Sequence, residues 1–212
     1  MPEIQLNGKT IATQTGTNEP VLKNNVVMES GFSIPSGVID SALLSATFPA
    51  GHVVQVVQAI KTDYWYSGGV TDTTFYDVPG QDDIGIWSVG ITPKFNNSKI
   101  LLQAMFSYKS NYWGAATRFV RDSTPICLGD QYGSGFPASL GTMWANQDRW
   151  VIPVNMTFLD TPSIPSTPVE IVYKIQVTGN VNGIYLGFNQ ITNESNNSMT
   201  MPSIIIAQEI SQ

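Results

Sequence analysis

Charge is what this sequence has least of. Only 12% of its 212 residues are Asp, Glu, Lys or Arg, about half the share of an average soluble domain. Surface helices rely on Glu, Lys and Arg, so the shortage points instead to short strands and turns. It also leaves much of the surface neutral and partly apolar, the kind of surface that another copy of the same chain often covers. The formal net charge is −6, with ten basic residues scattered along the length. A nucleic-acid partner needs a Lys/Arg stripe to neutralise phosphates, and none is expected here.

Cysteine, histidine and long apolar runs are nearly or wholly missing too. One cysteine, Cys127, excludes an intrachain disulfide framework and any cysteine-based zinc site. Set between Ile126 and Leu128, it reads as a small buried apolar residue. The single histidine, His52, would have to serve any Ser-His-Asp group alone; beside Gly51 at the start of a strand it reads as structural. One of each cannot build a transition-metal centre, so neither metal nor cofactor is expected. No stretch approaches the roughly 20 apolar residues of a membrane span, which excludes membrane insertion by a helix. Met1-Pro2-Glu3-Ile4-Gln5 has neither the basic start nor the apolar run of a signal peptide, so synthesis in a cytoplasm is expected.

What is present is the pattern of a β protein. Ile100, Leu102, Ala104, Phe106 and Tyr108 share one parity and Leu101, Gln103, Met105 and Ser107 the other, the period of two of a strand with one face in a core. Val169, Ile171, Tyr173, Ile175 and Val177 alternate more cleanly still. Further strands are expected over 53–61, 71–78, 84–92, 115–121, 124–128, 150–158, 184–188 and 203–210. Asp122-Ser123 separates two of them as a hairpin turn. Pro153 falls on the outward parity of its strand, which places that strand at a sheet edge or gives it a bulge there. About nine or ten short strands with turn signals every 8 to 12 residues predict an all-β, jelly-roll-like antiparallel β-sandwich over residues 51–212.

Residues 1–50 differ. Asn7-Gly8, Thr15-Gly16-Thr17-Asn18, Asn24-Asn25 and Ile34-Pro35-Ser36-Gly37 interrupt apolar residues that stand singly or in pairs, and such a segment buries no core of its own. Two readings fit: a disordered leader, or an extended N-terminal stem ordered by packing against identical neighbours, with a reach of at most ~3.3 Å per residue. Within it, 38–48 fits a short helix or a covering strand.

Chemistry-bearing motifs are sparse. Asp82-Asp83 lack the spaced loop of a calcium site and read as a solvated turn. Asp122, Asp130, Asp160 and Glu170 supply carboxylates without a pair that stands out. Aromatic turns stand out instead: Tyr64-Trp65-Tyr66 before Ser67-Gly68-Gly69, Tyr112-Trp113 before Gly114, and Trp144 near Asn146, Gln147 and Arg149. Ring faces cover a pyranose while neighbouring amides and charged groups bond its hydroxyls, so Tyr64, Trp65, Tyr66, Tyr112, Trp113, Trp144 and Arg149 are candidate ligand-binding residues. The same rings also suit a core or a subunit interface.

Several short motifs occur in a telling order: Ser88-Val89-Gly90-Ile91-Thr92-Pro93, Asn97-Ser98-Lys99-Ile100-Leu101-Leu102, Arg118 to Ile126, Phe158-Leu159-Asp160-Thr161-Pro162, Tyr173-Lys174-Ile175-Gln176-Val177 and Ser203 to Ile210. Together they resemble tail-fibre-like, receptor-binding virion proteins of marine and cyanobacterial tailed phages, over roughly residues 51–210. Ile34-Pro35-Ser36-Gly37-Val38 is similar to the linkers that precede their globular part. The resemblance implies a virion protein made in the host cytoplasm. It further implies a homotrimer, an attachment segment that meets other virion proteins through residues 1–50, and a non-catalytic head directed at host-surface glycan. A capsid decoration, cement or knob protein shares these features; a polysaccharide depolymerase has only the supply of acids in its favour.

Overall fold

The computed structural model describes residues 3–6, 9–13, 21–22, 50–66, 74–110, 115–133, 135–141, 151–179, 186–189 and 201–212. The chain divides into two compact units, Met1–Leu44 and Ser45–Gln212. In the first, β1 (Glu3–Leu6), β2 (Lys9–Thr13) and β3 (Val21–Leu22) form an antiparallel sheet with a bulge between Ile4 and Gln5. This sheet falls inside the span read from sequence as leader or stem; positions 38–48 lie outside the described residues.

The second unit is an antiparallel β-sandwich. Its strands are β4 (Val53–Lys61), β5 (Trp65–Tyr66), β6 (Tyr76–Asp77), β7 (Ser88–Ile91), β8 (Lys99–Ser110), β9 (Ala115–Arg121), β10 (Thr124–Ile126), β11 (Leu140–Gly141), β12 (Val151–Asp160), β13 (Ile171–Gly179), β14 (Leu186–Phe188) and β15 (Ser203–Ile210). In the first sheet β10 and β11 share one edge of β9, β13 flanks its other side, and β6 and β7 lie end to end along β13. In the second, β12 pairs with one side of β8, β15 and β14 lie end to end along the other, and β4 and β5 pair outside them. The register thus gives each sheet an upper end and a lower end. Ser110, Ala115, Gly141, Val151, Gly179 and Leu186 meet at the upper one. Gly51, the Asp122-Ser123 turn and Asp160 lie at the lower one.

Alternation builds the core. Ile100, Leu102, Ala104 and Phe106 of β8 face Phe119 of β9 and Ile171, Tyr173, Ile175 and Val177 of β13, with Ile205 and Ala207 of β15 beside them. Each large side chain so buried contributes roughly 1.5–3 kcal/mol. Pro153 sits on β12, which among the described residues pairs with β8 alone, so the missing N–H breaks no inner ladder. The Asp122-Ser123 hairpin forms with Thr124 opposite Arg121, and Asp122 (φ 53°) accepts the Val172 N–H on Oδ1 at 3.0 Å.

Two expectations are corrected. The strand read over 84–92 begins only at Ser88, because Asp82, Asp83 and Gly85 take positive φ to turn the chain, bringing Trp87 N–H onto Val78 O at 2.8 Å. Cys127 is half-buried, with φ 55°, at the point where the chain leaves β10.

Buried polar groups tie the lower end. Arg121 of β9 donates to both carboxylate oxygens of Asp160 on β12 at 2.9 Å, and Tyr173 Oη of β13 donates to Asp160 Oδ2 at 2.8 Å, joining the two sheets. The buried Glu209 of β15 gathers the 92–98 turn. Its Oε1 accepts from Lys94 N–H (2.8 Å), Phe95 N–H (3.0 Å) and Ser98 Oγ (2.7 Å), and its Oε2 from Gln55 Nε2 (2.7 Å).

Removing that carboxylate leaves several donors unpaired, so Glu209→Ala is expected to cost about 3 kcal/mol in urea unfolding. Gln208→Ala, on the solvent side, should stay within about 0.5 kcal/mol. Burial first, then the bond to Asp160 and its charge, hold the Tyr173 hydroxyl protonated well above its ordinary value of 10.0. The folded state therefore resists losing that proton, and its stability is full below pH 10 and falls as pH rises further, by up to about 1.4 kcal/mol per pH unit. Tyr173→Phe should flatten that alkaline slope; equal slopes in wild type and variant would contradict the assignment.

Candidate functional site

The upper end carries the aromatic turn 64–66, and its shape is set by a break in the second sheet. Between β4 and β5 the chain leaves the ladder, and so does its neighbour at Asn189, just after β14. Asn189 pins both breaks. In a left-handed conformation (φ 58°) that asparagine tolerates, its Nδ2 donates to Lys61 O at 2.8 Å and Asp63 O at 2.9 Å, Ser203 Oγ donates to its Oδ1, and its own N–H reaches Ser107 O at 3.1 Å. Lys61 is fully buried, and its Nζ is paired with Asp63 Oδ2 at 2.6 Å and Gly80 O at 2.8 Å. A buried ammonium is tolerable only with such partners.

From this anchored base the period of two splits the three aromatics. Trp65 turns inward, its ring 6.0 Å from that of Phe188, in a cluster where Phe188 stacks on Phe106 at 5.1 Å and Trp87 meets both edge-on. Tyr64 and Tyr66 turn outward, 63% and 47% exposed. Of the sequence candidates, then, Trp65 serves the core while Tyr64 and Tyr66 reach the surface. Tyr112, Trp113, Trp144 and Arg149 lie outside the described residues. The strand ends that bound their segments, Ser110 with Ala115 and Gly141 with Val151, sit at the same upper end as Tyr66.

A second constellation was not singled out from sequence. On the outward face of the first sheet, Arg118 of β9 lies 3.9 Å over the Phe75 ring, and Phe136 meets Phe75 edge-on at 5.6 Å. Arg118 Nε and Nη2 both donate to Gln176 Oε1, Gln176 Nε2 donates to Asp77 Oδ1, and Lys174 Nζ pairs with Asp77 Oδ2 at 2.9 Å. Desolvation beside the rings lowers the Arg118 pKa, against the pull of Asp77. Parity alone turned Lys174 and Gln176 outward, but only the β9–β13 register sets Gln176 opposite Arg118.

Two of the acids weighed for hydrolysis are engaged in structural bonds. Asp160 is held by Arg121 and Tyr173, and Asp122 by Val172. Asp82 and Asp83 are exposed in their turn, and no group of three or more metal-ligating side chains occurs among the described residues. His52 is tied through its backbone, giving its N–H to Ser211 Oγ and accepting Ser211 N–H.

Compared with protein-family models and with curated proteins, the chain matches none. The inward and outward split of the aromatic turn is directly measurable. Trp65→Ala should cost about 2–3 kcal/mol in urea unfolding, whereas Tyr64→Ala and Tyr66→Ala should each stay within about 0.5 kcal/mol.

Proposed function

We propose that this chain is a non-catalytic structural protein of a phage virion. Its head, of tail-fibre type, binds host-surface glycan, and its segment before residue 51 joins other virion proteins, with three copies acting together. The observation that carries this reading is the polarity of the sandwich. The chain comes in at the lower end, where Gly51 N–H bonds Ser211 O, and the exposed Tyr64 and Tyr66 stand at the opposite end. A protein anchored through one end and recognising through the other needs that arrangement. Two exposed tyrosines on one parity, held by a buried polar pin, form a rigid apolar platform with hydroxyl edges, the chemistry that suits a sugar ring.

The strand order supports a jelly-roll head. Counting end-to-end strands as one, successive strands alternate between the sheets except at β9 and β10/β11, a hairpin within the first sheet. The engagement of Asp160 and Asp122 in structural bonds supports recognition without hydrolysis. Such a protein is made in the host cytoplasm and ends on the particle.

Virions carrying Tyr64→Ala with Tyr66→Ala are expected to adsorb to the host at least tenfold more slowly, with particle yield unchanged. Unaltered adsorption would overturn the reading, and antibody labelling confined to heads would transfer the protein to capsid decoration.

A further inference from the structure

The two outer faces of the sandwich are chemically unlike. That of the first sheet holds Arg118, Asp77 and Lys174 in one chain of bonds, with Gln176 linking Arg118 to Asp77, Asp77 pairing with Lys174, and Arg118 against the Phe75 ring. On the second sheet, the central outward positions are 56, 58 and 60 of β4, 204, 206 and 208 of β15, 101, 103 and 105 of β8, and 155, 157 and 159 of β12; none of these carries a charge. The cross-strand register aligns them in rows. Val56, Ile60, Met105 and Leu159 are exposed there, with Ile204 and Ile206 half-exposed between them.

We infer that this outer face of the second sheet is the contact between copies of the chain. The inference builds on the self-association in the proposed function and adds the surface that performs it.

Three observations favour a second copy as the occupant. The first is charge. Copies that each carry −6 repel wherever their charged surfaces meet, and this face lets them approach without that cost. The second is self-complementarity. Besides apolar side chains the face presents amides, Gln58, Gln103, Gln208 and Asn155, and an amide is both donor and acceptor. Gln208 Nε2 already donates to Gln103 Oε1 at 2.9 Å across two strands. A surface of aliphatic groups and amides therefore fits itself, whereas a strongly charged partner finds nothing to pair with.

The third is size. Four strands about 4.8 Å apart and three rows about 6.7 Å apart cover roughly 19 by 20 Å. Two such faces hide on the order of 1,000 Å² once side-chain relief is counted, the lower bound for a specific interface. A depression of about 220 Å³ beside Met105, Asn155 and Ile206 gives the face relief for interdigitation. Lys99, opposite Ile210 at the lower margin, supplies the start of a polar rim.

Light scattering of the full chain at tens of micromolar should give a multiple of 23.1 kDa that persists in 1 M salt. Ile206→Lys places like charges at the centre of the contact and should return the mass to one chain. The exposed Gln103→Lys should do the same, and circular dichroism should show each variant folded as wild type is. Tyr64→Ala should leave the mass unchanged. An oligomeric wild type whose mass neither lysine variant alters would overturn this face while leaving self-association standing. A monomeric wild type would overturn both, and binding of the monomer to neutral lipid vesicles would reassign the face to a membrane.

Discussion

A β-sheet has two faces, and a two-layer sandwich uses only one face of each sheet for its core. The strict alternation along β8, β13 and β15 commits Ile100, Phe106, Tyr173 and Ile205 to the interior, and by the same period of two it commits Met105, Lys174 and Ile206 to the exterior. What the chain does with those second faces decides its character. The first sheet uses its own aromatic residues, setting Phe75 and Phe136 over an Arg118–Gln176–Asp77 network. The second sheet offers, across the centre of its outer face, amides and aliphatic groups without charge.

With so few charged residues, each one that is buried has a fixed structural task. Arg121 and Asp160 bridge the sheets at the lower end, Glu209 collects the turn after β7, and Lys61 with Asp63 closes the break after β4. These groups are costly to bury and strongly directional, so they specify one arrangement of loops where apolar contacts alone allow several. The upper end gains most. Asn189 and Lys61 hold the backbone beneath Tyr64 and Tyr66, so the exposed rings stand on a fixed base. Chain entry at Gly51 and the exposed tyrosines lie at opposite ends because of the same antiparallel register.

Much of this was legible in the chain itself. The period of two marked β8, β12 and β13, apolar and β-branched runs marked β4, β9 and β15, the Asp122-Ser123 turn marked its hairpin, and Pro153 marked an edge, because each signal is local and acts through backbone sterics or one missing N–H. The stretch from Ile84 to Trp87 misled, since apolar residues beside Gly85 resemble a strand until the turn around Asp82 draws the backbone to positive φ.

Strand content, sandwich class and the inward set of apolar residues were thus determined by the sequence alone, through spacing that any single strand expresses. Only the tertiary structure decided which of three adjacent aromatics faces in, that Asn189 lies against Lys61, and that Arg118 meets Gln176. It alone placed side by side four strands whose central outward positions carry no charge. Those facts depend on pairing between residues far apart in the chain, and cross-strand register is fixed by the packing of the whole sandwich, which no local pattern encodes.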